Sequence, residues 1–478
     1  MEPRRISRRK LLEATGLGFA GLAMNGLFAA PASAKLRGLQ EPSGAPLAPR
    51  QPHFKPRALR VIFLFMHGGP SQVDTFDWKP LLARDDGLPC PLPPPRVTFS
   101  QNRGALLKSP WEFKQYGQSG AWVSDLFPHV AQRVDDLCFI KSLHGSNDAH
   151  GGALLKIHTG SDTFVRPSMG SWVLYGLGSE NRDLPGFITI CPTLGHGGVT
   201  NWSSAFLPAA YQGTPIGNAS VPAKDAVIRF LDNQKLDSAE QRRQLDLVQD
   251  FNHRHRDEHP GAGAAEDALD ARIEAAELAF RMQSEAPRVL DLGSESAATK
   301  ALYGIDEMPT DNFGRQCLMA RRLAEAGVRF VQCTHSYKWD QHGGLKADHA
   351  KNAMEVDKPI AGLLADLKAR GLWQDTLVMW GGEFGRTPVS QDGRDGRDHN
   401  PHGFTVWMAG GAVKGGFSYG ATDDYGFYAA VDKVHVHDLH ATLLHILGLD
   451  HEQLTYRYAG RDFRLTDVAG KVAKEILT

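Results

Sequence analysis

Short, nearly continuous apolar runs alternate along the chain with longer stretches of mixed polarity. Six of these runs predict strands, at residues 59–66, 137–142, 187–191, 328–333, 376–380 and 404–409. A run that is apolar at almost every position, rather than at every second one, is typical of a strand buried on both faces of a parallel sheet. The pattern therefore predicts a sheet that is covered on both sides.

Segments with helical character lie between several of the runs. Three helices are predicted after residue 300, at 317–325, about 350–370 and 439–447. Each is followed by a glycine, which favours a helix end, and Asp438 can cap the last of them. Strand–helix alternation over this length predicts an α/β fold with a doubly wound, mostly parallel sheet.

The region of about 222–300 differs in character, because it is charged and rich in alanine. It predicts a helical insertion with no chemistry of its own. Residues 35–57 are rich in proline, glycine and alanine, which is typical of a linker. We therefore expect one large domain at 58–470 that carries the insertion.

The first 34 residues have the features of an export signal. Arg8 and Arg9 precede an apolar stretch, and Ala32-Ser33-Ala34 offers a small-residue cleavage site. The string Ser-Arg-Arg-Lys-Leu-Leu at residues 7–12 looks like a twin-arginine signal. Glycine and alanine dilute the stretch, so no stable membrane span is expected. The protein should use the twin-arginine translocase and reach the periplasm or cell envelope, or be secreted.

Composition narrows the class of function. The 478 residues are 42% hydrophobic and 22% charged, with a net charge of -1, as in an ordinary soluble globular protein. This balance gives no electrostatic case for nucleic acid as a partner. The five cysteines are scattered without a CxxC spacing, so neither an iron–sulfur site nor a disulfide framework is indicated.

Polar clusters follow the predicted strands at their carboxyl ends. His67 follows the first strand and His150 lies beyond the second, while Asp340 and His342 lie beyond the fourth. A denser cluster, at 383–402, follows the fifth. Open α/β sheets bind ligands outside the carboxyl ends of their strands, so these groups should converge on one edge.

Such a convergence would suit a divalent metal ion, because it offers oxygen and nitrogen ligands without thiolate. The histidines favour zinc or manganese, and calcium and magnesium remain open. The predicted ligands are Asp340, His342, Glu383, Asp398 and His399, with His67, His150 and His402 as further candidates. A single histidine is more often structural, but their joint placement after strands favours a site.

Arg386 and Arg397 lie in the same stretch and carry planar guanidinium groups. Such groups bind phosphate or sulfate oxygens through paired hydrogen bonds, which makes these two residues the anion-binding candidates. The alternative is a salt bridge, either at the surface or in support of the residues that form the site.

Two segments resemble sulfatases. Residues 436–448 are similar to a segment near the end of those enzymes, in which an aspartate, a threonine and a final glycine hold fixed places among hydrophobic positions. Residues 154–160 resemble the Leu-Leu-Thr-Gly run of sulfatases. The resemblance implies an alkaline phosphatase-like sheet with a metal site at the strand ends.

Three further stretches, at 67–80, 381–388 and 396–399, are similar to an uncharacterised bacterial family. Its members are twin-arginine-exported, sulfatase-like proteins of the alkaline phosphatase superfamily. Together the resemblances cover about residues 58–470.

The sulfatase nucleophile has no direct counterpart. In sulfatases a Cys- or Ser-x-Pro-x-Arg motif supplies the residue that becomes formylglycine, nine residues before the threonine of a Thr-Gly pair. Counting back nine from Thr159 gives His150, which cannot become formylglycine, and Ser71 and Ser146 are approximate substitutes. The catalytic candidates are His150, Ser71 and Arg386.

Other places also differ from the sulfatase pattern. His67 stands where paired aspartates follow the first strand of sulfatases, and Glu383 stands where they have an Asp-His pair. The same edge of the sheet is thus expected to use different ligands.

These features favour an exported, metal-dependent hydrolase of phosphate or sulfate esters that lacks the formylglycine signature. Its substrate would be a small molecule or a polysaccharide ester, and a metal ion would activate water in place of a side-chain nucleophile. The alternative is a non-catalytic metal- or anion-binding protein of the cell envelope on the same fold. A redox enzyme is a third hypothesis, but a cysteine cluster and a usable nucleotide motif are both missing.

Overall fold

A computed structural model describes residues 46–95, 103–258, 264–391 and 395–478. Its strands are β1 Arg60–Met66, β2 Arg103–Leu106, β3 Phe113–Tyr116, β4 Ala121–Ser124, β5 Leu137–His144, β6 Phe187–Ile190, β7 Thr214–Ile216, β8 Phe330–His335, β9 Thr376–Gly381, β10 Gly385–Gln391, β11 Arg397–Asn400, β12 Phe404–Ala409, β13 Phe417–Tyr419, β14 Ala421–Thr422, β15 Ala429–Val431, β16 Val434–His435, β17 Tyr456–Tyr458 and β18 Arg461–Phe463. Its α-helices are α1 Gln72–Thr75, α2 Pro80–Arg84, α3 Pro128–Ala131, α4 His150–Thr159, α5 Met169–Leu177, α6 Ser238–Glu258, α7 Ala264–Leu290, α8 Ala297–Leu302, α9 Asp311–Glu325, α10 Leu345–Ala369 and α11 Val436–Ile446.

Within these ranges, nine strands form one large sheet. Their order is β13-β5-β12-β9-β1-β8-β6-β7, with β16 also paired to β5. Strand β12 runs antiparallel to β5 and β9, whereas the other neighbouring strands run parallel. The predicted α/β fold with a mostly parallel sheet is therefore confirmed.

The sheet is buried on both faces, as its continuous apolar runs indicated. In β1, Val61, Phe63 and Phe65 belong to one hydrophobic cluster. The alternate residues Ile62, Leu64 and Met66 belong to the other. Helices α4, α5 and α11 cover the first face, while α3, α9 and α10 cover the second. Because side chains alternate along a strand, a strand between two helical layers is apolar at most positions rather than at every second one.

The six predicted strands all lie in this sheet, and three short edge strands were not predicted. Strands β7, β13 and β16 contain only two or three residues, too few to show a hydrophobic period. Strands β5 and β8 also extend past their predicted ends to His144 and His335. The apolar pattern did not predict these extensions, because each ends in a polar histidine.

The segment predicted to be a helical insertion contains α6, α7 and α8. Strands from before and after it join the same sheet. The proposed domain boundaries stay predictions. The expected signal sequence and residues 35–45 of the expected linker lie outside the described residues. Among the helices described, none is both long enough and apolar enough to cross a bilayer.

The antiparallel direction of β12 decides which residues meet at the site. Strands β1, β5, β8 and β9 end at one edge of the sheet, and β12 begins at that edge. The hairpin of β10 and β11, which pairs with β2 in a small separate sheet, lies between β9 and β12 in the chain. It therefore returns Arg397–Asn400 to the edge where β1 and β8 end.

Candidate metal centre

Seven of the predicted site residues lie at this edge of the sheet. They are His67 after β1, His150 at the start of α4, Asp340 and His342 between β8 and α10, Glu383 between β9 and β10, and Asp398 and His399 on β11. Within the described chain they fall into three overlapping groups whose possible ligand atoms lie within 4.8 Å of one another: His67, His150 and Glu383; His150, Asp340 and His399; and His342, Asp398 and His399.

One carboxylate oxygen of Asp340 is the meeting point of three imidazoles. Its Oδ1 lies 3.2 Å from Nε2 of His150, 3.1 Å from Nε2 of His399 and 2.9 Å from Nε2 of His342. Arg386 Nη2 donates to the same oxygen at 2.7 Å. The second oxygen, Oδ2, accepts a hydrogen bond of 3.0 Å from the Tyr337 hydroxyl.

The other nitrogen of each imidazole faces an oxygen. His150 Nδ1 lies 2.7 Å from Glu383 Oε1, and His399 Nδ1 lies 2.6 Å from the Asp148 carbonyl oxygen. His342 Nδ1 contacts the side-chain oxygen of Gln391. Because these oxygens accept hydrogen bonds, Nδ1 carries the proton in a neutral ring, and the lone pair at Nε2 points towards Asp340.

This arrangement fits a divalent metal ion. Three nitrogen lone pairs and a carboxylate oxygen facing one another repel unless a cation or protons lie between them. In a tetrahedral site with bonds of ~2.0 Å, neighbouring ligand atoms are about 3.3 Å apart. The distances of 3.2 Å from His150 and 3.1 Å from His399 to Asp340 Oδ1 are close to that spacing, and these three residues form one group. His342 groups instead with Asp398 and His399. Outer hydrogen bonds that fix each imidazole are also typical of metal-binding histidines.

Glu383 and His67 form the deepest part of the site. Both oxygens of Glu383 accept from the backbone N–H of Gly68, at 3.0 and 3.2 Å. His67 is buried with its Nε2 4.0 Å from Glu383 Oε1, and neither of its ring nitrogens has a hydrogen-bond partner in the described parts of the chain. A buried imidazole without partners is costly, so His67 is a candidate to contact a ligand.

Electrostatics favour ionised carboxylates and a neutral His399 at neutral pH, and a raised pKa at His150. Burial would raise the pKa of Glu383, but His150 and His67 hold it at about 2. Burial would likewise raise the pKa of Asp340, and its three histidines and Arg386 hold it well below the usual range. Burial lowers the pKa of His399 to about 4, which leaves that imidazole neutral. Burial lowers the pKa of His150 too, but its contacts with Asp340 and Glu383 raise it more.

The two arginines predicted to bind an anion are fully buried and engaged within the protein. Arg386 donates to the backbone oxygens of Gly68, Gly69, Trp339 and Arg397, besides Asp340. Arg397 forms a two-pronged salt bridge with Asp74 at 2.7 and 3.1 Å. These contacts resemble those of the alternative, a salt bridge that supports the site, and the anion-binding role of both residues stays a prediction.

Ser71 and His402 are not members of the three groups. The Ser71 hydroxyl donates to Asp74 at 2.5 Å, and its backbone N–H donates to His349 at 3.1 Å. The ring of His402 lies 5.5 Å from that of Tyr428. The contacts described for Ser71 are therefore structural, and its catalytic role stays a prediction.

Two residues near the centre were missed from the sequence. His196 has its ring 5.1 Å from that of His150 and 5.7 Å from that of His67. Tyr337 has its ring 4.7 Å from that of His67. His196 follows β6, so the rule that placed the other candidates after strands applied to it as well. A lone histidine between glycines gave no second signal.

A substitution can test whether Glu383 orients the His150 ring. The Glu383→Ala variant should bind zinc about 10–100-fold more weakly, because His150 loses the partner that orients its ring. Glu383→Gln retains an acceptor oxygen and should lose less. Competition with a chromophoric chelator measures both affinities, and Glu112→Gln, at an exposed glutamate, is the control. Unchanged affinity in Glu383→Ala would contradict this role.

Solved structures with some similarity to this chain have little sequence in common with it. One is the lipoteichoic acid synthase LtaP from Listeria monocytogenes, at 8% identity and a TM-score of 0.37, over 93% of this chain and 88% of that one. Another is the alkaline phosphatase from the Antarctic bacterium TAB5, at 10% identity and a TM-score of 0.33, over 84% of this chain and 99% of that one. A third is the PsFucS1 sulfatase from Pseudoalteromonas sp., at 12% identity and a TM-score of 0.35, over 83% of this chain and 69% of that one. Values this low carry no conclusion about activity.

Sequence families give a more definite result. No curated protein matches the chain. Residues 58–477, which include every strand of the large sheet, match the model of a family described as "Protein of unknown function (DUF1501)". The chain therefore belongs to the DUF1501 family.

Proposed function

We propose that the protein is an exported, metal-dependent hydrolase of phosphate or sulfate esters. The observation that supports this most is the convergence of His150, His342 and His399 on Asp340. It occurs at the edge of the sheet where α/β proteins bind their ligands. The overall reaction adds water to phosphorus or sulfur, and the ester oxygen leaves with a proton as the alcohol.

The residues of the centre have separate roles in this proposal. Asp340 and the Nε2 atoms of His150 and His399 would hold a divalent ion, for which zinc or manganese is favoured by the nitrogen ligands. His342 belongs to a neighbouring group with Asp398 and His399. Such an ion supplies polarisation of the ester and a lower pKa for water. Glu383 orients His150, and Arg386 fixes Asp340. His67 is placed to contact the substrate or a second ligand.

His150 takes the place at which the resemblance to sulfatases expected a nucleophile. Its two nitrogens face Glu383 and Asp340, which supports a role as a ligand. With His150 as a ligand, direct attack by water on the ester takes the place of a covalent intermediate in this proposal.

Export is part of the proposal and depends on the sequence of residues 1–34. Arg8 and Arg9, the apolar stretch and the Ala32-Ser33-Ala34 site support it. The twin-arginine route carries folded proteins, which suits a chain that acquires metal before it crosses the membrane.

A non-catalytic metal-binding protein of the cell envelope is the second candidate. The observation that favours it is the internal engagement of Arg386 and Arg397, whose N–H groups are directed at protein acceptors. A hydrolase of anionic esters would then have to bind the anion through histidines and the metal ion.

Elemental analysis followed by a substrate panel should separate the two candidates. We expect about one zinc or manganese ion per chain, and hydrolysis of 4-nitrophenyl phosphate, bis(4-nitrophenyl) phosphate or 4-nitrophenyl sulfate. A chelator should abolish hydrolysis, and added metal should restore it. Metal without hydrolysis of any ester would favour the second candidate. Protein without metal affinity would contradict both.

A further inference from the structure

We propose that Tyr337 and the loop of residues 193–199 form a recognition lip for a ring next to the scissile ester. The inference rests on the proposed metal centre and names the substrate class: an ester whose organic part is a ring with an apolar face, aromatic or saturated. The lip consists of Tyr337, Leu194, His196 and Val199.

The lip lies directly against the metal centre. The His196 ring is stacked on that of His150 at 5.1 Å and 26°, and it lies 4.9 Å from that of Tyr337. The Tyr337 ring in turn lies 5.4 Å from that of His150. Two separate loops, after β6 and after β8, thus place aromatic rings beside one candidate ligand.

Exposure increases from the centre to the lip. His67 and His150 are buried, whereas Tyr337 is 44% exposed and His196 is exposed. On the same loop, Leu194 is 62% exposed and Val199 is 61% exposed. An anionic group held at the centre would direct its organic substituent outward, past the rings of Tyr337 and His196. Apolar and aromatic surface at that place favours a ring over a charged group.

The backbone of the lip is strained at both ring-bearing residues. His196 has a φ of 46° and Tyr337 a φ of 31°, in the left-handed region that L residues rarely adopt. Glycine occupies such positions without strain, and Gly197, next in the chain, does so with a φ of 100°. Strained residues of this kind cluster at ligand clamps. The local backbone conformation therefore disfavours a side chain at His196 and at Tyr337.

Binding of non-hydrolysable phosphonates tests the lip without turnover. Calorimetric titration of the zinc-loaded full chain would compare methylphosphonate, cyclohexylphosphonate and phenylphosphonate. We expect at least one ring-bearing compound to bind about 10-fold more tightly than methylphosphonate, because its ring buries apolar surface on the lip. If phenylphosphonate binds more tightly than cyclohexylphosphonate, the substrate carries an aromatic ring. The reverse order indicates a saturated ring.

Variants assign the preference to the lip. Tyr337→Ala should reduce it to less than about 3-fold, while Tyr337→Phe retains the ring and the preference. His196→Gly should also reduce it without lowering the melting temperature, since glycine relaxes the backbone there. Val431→Ser, at a residue 56% exposed elsewhere, is the control and should change nothing.

The outcomes separate this inference from the proposed function. A preference for ring-bearing phosphonates without hydrolysis of any ester would contradict the proposed hydrolase function and support the proposed lip. Hydrolysis together with equal binding of the three phosphonates would overturn the lip alone, as would a preference that survives Tyr337→Ala. Failure of all three to bind the zinc-loaded chain would overturn the lip as well.

Discussion

Replacement of Asp340 by asparagine should weaken metal binding by more than about 100-fold and abolish metal-dependent hydrolysis. Asp340 Oδ1 lies within 3.2 Å of three imidazole nitrogens, so its charge balances any cation held there. Loss of an outer partner of a ligand already weakens binding ~10–100-fold, and loss of the central carboxylate should exceed that. Elemental analysis after dialysis, and titration against a competing chelator, measure the change.

The amide of asparagine preserves the size of the side chain and can still accept from Arg386. The variant should therefore fold, which circular dichroism can verify. Asp348→Asn makes the same change at an exposed residue eight positions along the chain and should retain full metal content. If Asp340→Asn binds metal as tightly as the unchanged protein, Asp340 is not a ligand and the assignment of the centre is wrong.

The fold could be predicted from the sequence because burial on two faces leaves a direct trace in it. Strands β1 and β9 are apolar at successive positions, and each lies inside the sheet. Direction leaves no such trace. The run at 404–409 looked like the others, yet β12 is antiparallel, and only that direction brings His399 back to the edge where β1 and β8 end.

The centre was only partly predictable for a related reason. The rule that ligands bind at strand ends selected His67, His150, Asp340 and Glu383, which the structure brings together. The same rule could not predict which groups surround a charged side chain such as Arg386. Arg386 was assigned to an anion by its residue type, and its environment of backbone oxygens arises from chain segments far apart in sequence. Partners of this kind become visible only once the chain is folded.

The free energy of unfolding should fall steeply as the pH is lowered from 6.5 towards 4. Burial lowers the pKa of His158 to about 4, and the pKa of His349 and of His440 to about 3. All three are almost completely inaccessible. In the folded protein they stay neutral in this range, while in the unfolded chain they take up protons below pH 6.5. Stability is therefore complete above pH 6.5 and is lost as the pH falls towards the folded values.

Each buried histidine contributes a slope of up to about 1.4 kcal/mol per pH unit, or about 4 kcal/mol per pH unit for the three together. A domain stability of roughly 5–15 kcal/mol would be largely lost within two to three pH units. Urea unfolding of the metal-free protein at pH 7.5, 6.5 and 5.5 measures the slope. His440→Gln, which can still donate to the Ile157 carbonyl oxygen, should reduce the slope by up to about 1.4 kcal/mol per pH unit. The same change at the exposed His253 should not alter it. Stability that stays constant down to pH 5 would show that the buried imidazoles are not held neutral by the fold.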